Sequence, residues 1–448
     1  MRYGVRRTAL CSAATGALAL LALSACAGQG GLAPSAGIGA RAESIAKSGL
    51  ARIVSPSGGK IQHIIYIIQE NRSFNFMFDR FPGALTQDYG YDENGNKIAL
   101  HSQAISTGWD IDHSANGFFA AYDNGKLDGW NTEYACCGEP KNFAYAYARP
   151  QDVKTYWQMA QQYVLADHFF QSNIDGSFIA HQYAIAAYAN HEVNFPSSSW
   201  SCLGGGADVI PTLTQNRTYG PNVPVCEDYP TVGDRLDDVG VSWKSYTYSP
   251  SNYLWDMYAV VKHIYEGADY AADVEMPANN FIKDVAGGKL AGVTWITPTY
   301  TNSDHAGSNS TGGQAWVSSL VNAVGESQFW NSSAIFIIWD DWGGWFDPVA
   351  PVYLDYDGTG FRLPMIAISP YAKTGYVSHV QYESSSVLRF MEDNFGVAPL
   401  AASDSRAADP AYDAFDFAQK PRPFVPFTAP PALKVHSDWQ PGVLVDGD

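Results

Sequence analysis

Hydrophobic residues in this chain gather into short, nearly unbroken runs. Residues 61–68 (IQHIIYII), 293–296 (VTWI), 334–339 (AIFIIW) and 365–368 (MIAI) are the clearest. Runs of this length, rich in Ile and apolar in consecutive positions, predict parallel strands buried on both faces. Helix-spaced patterns lie between and after them. Val317, Leu320, Val321 and Val324 fall at i, i+3, i+4 and i+7, and Val387, Leu388, Met391 and Phe395 form a second apolar face, with Gly396 placed to end the helix. Strands separated by helices predict an α/β fold: a mainly parallel sheet sandwiched by helices, with long loop insertions. Ligands of such sheets sit beyond the carboxyl ends of the strands.

Two of these ends are dense in polar groups. Residues 61–68 run into Gln69-Glu70-Asn71-Arg72-Ser73, and residues 334–339 run into Asp340-Asp341-Trp342-Gly343-Gly344. Carboxylates with an amide suit oxygen ligation of a divalent cation. Acidic residues after strands also serve as caps and turns, so either cluster alone says little. In one parallel sheet both would open on the same edge.

The N-terminus reads as a processing signal. Arg2, Arg6 and Arg7 precede a short apolar stretch, and Leu23-Ser24-Ala25-Cys26 resembles a bacterial lipobox. This predicts a signal peptide over residues 1–25, lipidation at Cys26 and an exported, lipid-anchored protein of the bacterial cell envelope. Residues 26–59, rich in Ala, Gly and Ser, read as a flexible tether, and residues 60–448 as one domain. Four cysteines remain after Cys11 and Cys26, and four allow three pairings. Cys202 with Cys226 is the preferred disulfide, which leaves Cys136 beside Cys137.

Charge narrows the partners. The chain of 448 residues carries a formal net charge of −18, and loss of the three N-terminal arginines takes it to −21. Such a protein repels nucleic acid, whose binding rests on Lys and Arg neutralising phosphate. A phosphate-bearing substrate would need a local positive centre, and a bound cation supplies one. No G-x-S-x-G elbow, H-E-x-x-H or G-x-x-x-x-G-K-[ST] loop occurs.

The string IIYIIQENRSF at 64–74 resembles the opening signature of the bacterial phosphoesterase family that includes non-haemolytic phospholipases C and acid phosphatases. The similarity continues through WDIDHS at 109–114, Asp128-Gly129-Trp130, ADHFFQSNIDGSFIAHQY at 166–183, Ser303-Asp304-His305, WDDWGGWF at 339–346 and RLPMIAISPYAKTG at 362–375. The resemblance implies an alkaline-phosphatase-like fold and a phosphoric-ester hydrolase. It implies that Glu70, Asn71, Asp340 and Asp341 ligate one divalent metal ion (Ca, Mg, Mn or Zn), that Ser177 is the nucleophile, and that His113 and His305 serve the leaving group or the phosphoryl oxygens. Asp175-Gly176-Ser177 would then be a turn opening a helix over 178–189, whose N–H groups favour phosphate oxygens. A serine there is also a common helix cap.

His168 is read as structural, His181 is left open, and Asp304 either tunes His305 or holds a turn. Two positions depart from the family pattern: Pro348 where relatives often carry His, and Ala180 where many carry Asn. The expected substrate is a small phosphomonoester or a phospholipid head group. The chain ends soon after the last motif, which leans toward the phosphatase. The non-enzyme alternative is a degenerate envelope lipoprotein that binds a ligand without turning it over.

Overall fold

The computed structural model describes residues 55–133, 139–196, 198–203, 208–248, 254–308 and 310–432. The expected signal peptide, Cys26, Cys136 and Cys137 lie outside the described residues. The end of the expected tether does not. Ser55 and Ser57 hydrogen-bond the Asn394 side chain, and Ser57 is buried, so the packed body already includes them.

The apolar runs form the centre of an eight-stranded sheet. Its strands in chain order are β1 (His63–Gln69), β2 (Val164–Ala166), β3 (Trp243–Tyr246), β4 (Val274–Glu275), β5 (Val293–Ile296), β6 (Ser333–Trp339), β7 (Met365–Ile368) and β8 (Tyr376–Ser378). In space they lie in the order β4-β3-β5-β1-β6-β7-β2-β8. Seven run the same way, and β7 runs against its neighbours β6 and β2. The mainly parallel sheet is therefore as expected, but the parallel reading of residues 365–368 is corrected. A parallel return needs a crossover that carries the chain to the opposite edge. No helix separates β6 from β7, and the intervening loop stays at the edge where β6 ends. The chain then has to enter β7 from that edge.

Four helices matter for the site: α1 (Pro150–Gln162), α2 (Ser177–Ala186), α3 (Gly313–Gly325) and α4 (Ser385–Phe395). Helix α3 packs beside α1, and α4 beside α2. The two pairs cover opposite faces. Phe336 of β6 meets Phe390 of α4 at a ring-centroid distance of 5.0 Å, whereas Trp339, of opposite parity along the strand, meets Tyr156 of α1 at 4.9 Å. On α3 the predicted stripe of Val317, Leu320, Val321 and Val324 is fully buried. On α4, Val387, Leu388 and Met391 are buried, while Phe395 is only half-buried and Phe390 takes its place in the core. Gly396 ends the helix at φ 72°, in the left-handed region where glycine carries no steric cost. Cys202 and Cys226 form a disulfide beside the hairpin of Val209–Leu213 with Tyr219–Pro224.

Helix α4 also buries an acid. Burial, and then the charge of Asp404, push the Glu392 carboxyl up to about 10 from its ordinary 4.5. The folded chain thus holds a proton that the unfolded chain releases near pH 4.5, so this contribution to stability is complete below that pH and is lost as pH rises toward 10. Glu392→Gln keeps the shape and removes the titration. Urea unfolding across about pH 5 to 10 should show a falling stability in the unaltered chain, a flatter limb in the variant, and the variant the more stable at the alkaline end.

Candidate active site

The two polar clusters meet because of strand register. β1 and β6 pair in parallel over seven positions, ending at Gln69 opposite Trp339. The next residues, Glu70 and Asp340, therefore leave the sheet side by side at the strand spacing of about 4.8 Å. The contact is closed by hydrogen bonds: the Asp340 N–H donates to the Gln69 carbonyl at 2.9 Å, and the Asn71 N–H donates to Asp340 Oδ1 at 2.9 Å. The approach is tight. A Cβ on Gly343, at φ 61°, would lie 2.1 Å from the Asn71 carbonyl oxygen, so only glycine fits where the two loops cross.

Neighbouring strands deliver the rest. β5 flanks β1 on its other side, and the Gln69 side chain bridges to the following loop by donating to the Asn302 carbonyl and accepting from the Asp304 N–H. This sets His305 at the same edge. His113 arrives on the loop tied down by Arg72, whose guanidinium donates to the carbonyls of Asn71 and Ile105. The His113 and His305 ring centroids are 5.9 Å apart.

Helix α2 opens directly under the carboxylates. Its cap is Gly176, with no side-chain cap hydrogen bond, so Ser177 is the first helical residue and does not spend its hydroxyl on capping. Ser177 Oγ lies 3.1 Å from Asp341 Oδ2 and 3.4 Å from both Glu70 Oε2 and Asn71 Oδ1. One turn on, His181 points the same way: its Nε2 is 3.3 Å from Glu70 Oε1 and 3.4 Å from Asp340 Oδ2. The structure thus brings Glu70, Asn71, Asp340, Asp341, Ser177, His113 and His305 together and adds His181. The i, i+4 spacing of Ser177 and His181 on a predicted helix was the signal that both share one face.

The cluster is buried and acidic. Glu70, Asp340, Asp341 and Ser177 are all at most 2% exposed. Burial works against ionisation of Asp340, yet interaction with His181 outweighs it and holds this carboxyl below the ordinary range. Arg72 is buried too, stacked between Phe76 and Trp345, and burial lowers it to about 10, with Asp304, Asp110 and Asp341 opposing that fall.

The donor set fits a divalent cation. Asp340 Oδ2 and both ring nitrogens of His181 are buried without a hydrogen-bond partner. His181 Nε2 lies 3.3 Å from Glu70 Oε1 and 3.4 Å from Asp340 Oδ2, spacings at which ligand atoms can share one ion with bonds near 2.1 Å. Glu70, His181 and Asp340 each offer a ligand atom within 4.8 Å of the others, as do Asp110, His113 and His305.

The phosphoesterase family profile matches residues 61–398. The chain belongs to the phosphoesterase family. As a member it is a hydrolase acting on phosphoric esters. It is 23% identical to phospholipase C B of Mycobacterium tuberculosis, over 83% of this chain and 81% of that protein. It is 25% identical to the hemolytic phospholipase C of Pseudomonas aeruginosa, over 78% of this chain and 54% of that one. Among solved structures, a protein of the alkaline phosphatase superfamily from Vibrio parahaemolyticus aligns over 78% of this chain and 73% of its own, with a TM-score of 0.36 and 10% identity.

Other sequence candidates take structural places in this phosphoesterase. His168 and His379 both bond the buried Asp167 carboxylate. Asp304 turns away from His305, accepting from the Tyr156 hydroxyl at 2.7 Å and the Trp339 indole at 3.2 Å, and burial raises it to about 6. Asp347, beside Pro348, forms a buried two-pronged pair with Arg362 at 2.8 and 3.1 Å and accepts the N–H groups of Asn75 and Val349. Removing one partner of such a pair strands the other charge. Asp347→Ala should lower the unfolding free energy by about 3–5 kcal/mol in urea titrations.

Proposed function

We propose that this phosphoesterase is a metal-dependent hydrolase that attacks phosphorus with Ser177 and passes through a phosphoseryl intermediate. The observation that carries the reading is the Ser177 hydroxyl set at 3.1–3.4 Å from Glu70, Asn71 and Asp341, with His181 closing the other side of the same acidic cluster. Glu70, Asn71, Asp340, Asp341 and His181 would hold the ion. A bound divalent ion supplies the positive charge that draws in phosphate and favours the serine alkoxide. The imidazole among the oxygen donors inclines the set toward Mn or Zn over Ca or Mg.

The chain's own groups do the remaining work. The uncapped N–H groups at the start of α2 face phosphoryl oxygens as they accumulate negative charge. His305, at the edge beyond β5, gives a proton to the departing alcohol oxygen and later accepts one from the water that cleaves the phosphoserine. Ala180 contributes no donor, so the first turn relies on backbone N–H groups alone. The relatives named phospholipase C support a phospholipid head-group ester as substrate. The N-terminal sequence supports envelope export with a lipid anchor at Cys26, which would keep the site near such a surface.

The test compares p-nitrophenylphosphorylcholine with p-nitrophenyl phosphate in Mn- or Zn-loaded protein. Turnover of the choline ester is expected to exceed that of the monoester. The reverse order would assign the chain to the phosphatases. Ser177→Ala should lower the rate by at least about a thousandfold with unchanged circular dichroism. Full activity in that variant would remove the serine mechanism, and no turnover by the unaltered chain on either ester would restore the ligand-binding alternative. Removal of the buried imidazole in His181→Ala should weaken Mn binding at least about tenfold, read by calorimetry.

A further inference from the structure

Asn71 is held at both polar atoms of its backbone. Its N–H donates to Asp340 Oδ1 and its carbonyl accepts from Arg72. Its backbone sits at φ 60°, a left-handed conformation that Asn tolerates better than most residues. What remains free to choose is the side-chain amide, whose two ends have similar shape and opposite chemistry. With Oδ1 toward Ser177 and the carboxylates, Asn71 is a cation ligand. With the NH2 group there, it presents donors where the ion must bind.

The choice is made by His113. A carbonyl oxygen only accepts, so the 2.6 Å contact between His113 Nδ1 and the Ile111 carbonyl places a proton on Nδ1. In the neutral ring Nε2 is then an acceptor, and it lies 2.5 Å from Asn71 Nδ2. The amide donates to the ring, which turns Oδ1 into the cluster, 3.4 Å from Ser177 Oγ. The relay runs from a fixed main-chain carbonyl, through one ring, to the orientation of one amide.

We infer that His113 is a positioning residue: its Nδ1–H tautomer, fixed by Ile111, orients Asn71 so that the amide oxygen faces the cation. This rests on the metal-dependent reading above. A ring whose Nε2 accepts from Asn71 has no proton there to give a leaving group; His305, whose Nδ1 meets the Ala306 carbonyl, can give one only as the imidazolium. Partners of this kind typically change metal affinity by 10–100-fold.

The experiment is Mn titration of chelator-stripped full-length protein by calorimetry, with thermal melts to confirm folding. His113→Leu should weaken Mn binding by about 10–100-fold, and His113→Gln, whose Oε1 stands near the lost acceptor, should recover most of it. Asn71→Asp offers oxygen at both ends and needs no orienting, so His113→Leu in that background should cost no more than about threefold. The unaltered protein gives a check that needs no variant: nitrogen NMR of His113 should show the Nδ1–H tautomer. Unchanged Mn affinity in His113→Leu, an equal loss in the Asn71→Asp background, tighter binding on removing the ring, or an imidazolium signature would each overturn the assignment. Absence of any Mn binding by the unaltered chain would instead fell the metal reading beneath it.

Discussion

The site depends on one ladder of backbone hydrogen bonds. Seven paired residues hold β1 and β6 in a single parallel register, and the pairing ends with Gln69 opposite Trp339. A slip of one residue would send alternate side chains to the wrong face and separate Glu70 from Asp340. The register is secured by burial, since every β6 residue and all of β1 except His63 are inaccessible to water. Hydrophobic packing thus fixes the positions of charges it does not touch.

Those charges are expensive where they stand. Glu70, Asp340 and Asp341 are confined together away from solvent, and the nearby guanidinium of Arg72 is committed to main-chain carbonyls. The surrounding structure holds them by over-determination: a loop crossing that admits only glycine at 343, buried Trp342 and Trp345, and an asparagine in a left-handed backbone. Such an arrangement persists because the core stabilises it, and it is poised to gain from a cation.

The departures from the family pattern become intelligible on this frame. Asp347 is an anchor for Arg362 between the site loop and β7, so Pro348 sits in a segment fixed by a buried ion pair. Ala180 lies on α2 between two residues that do face the cluster, Ser177 and His181. The helix sets a serine at its start and an imidazole one turn on, with an alanine between them.

The sequence by itself determined the strand runs, the helix stripes, the two acidic clusters and the serine at a helix start, because periodicity and short motifs are local properties. It also carried the choice of Cys202 with Cys226. It misjudged β7, whose direction depends on where a 25-residue loop returns, and it left His181 and Asp304 unresolved. Those outcomes were decided by tertiary structure alone. Which end of an amide faces a cluster, or whether an aspartate meets a tyrosine or a histidine, is set by atoms brought together from strands and loops hundreds of residues apart, and no spacing along the chain encodes that distance.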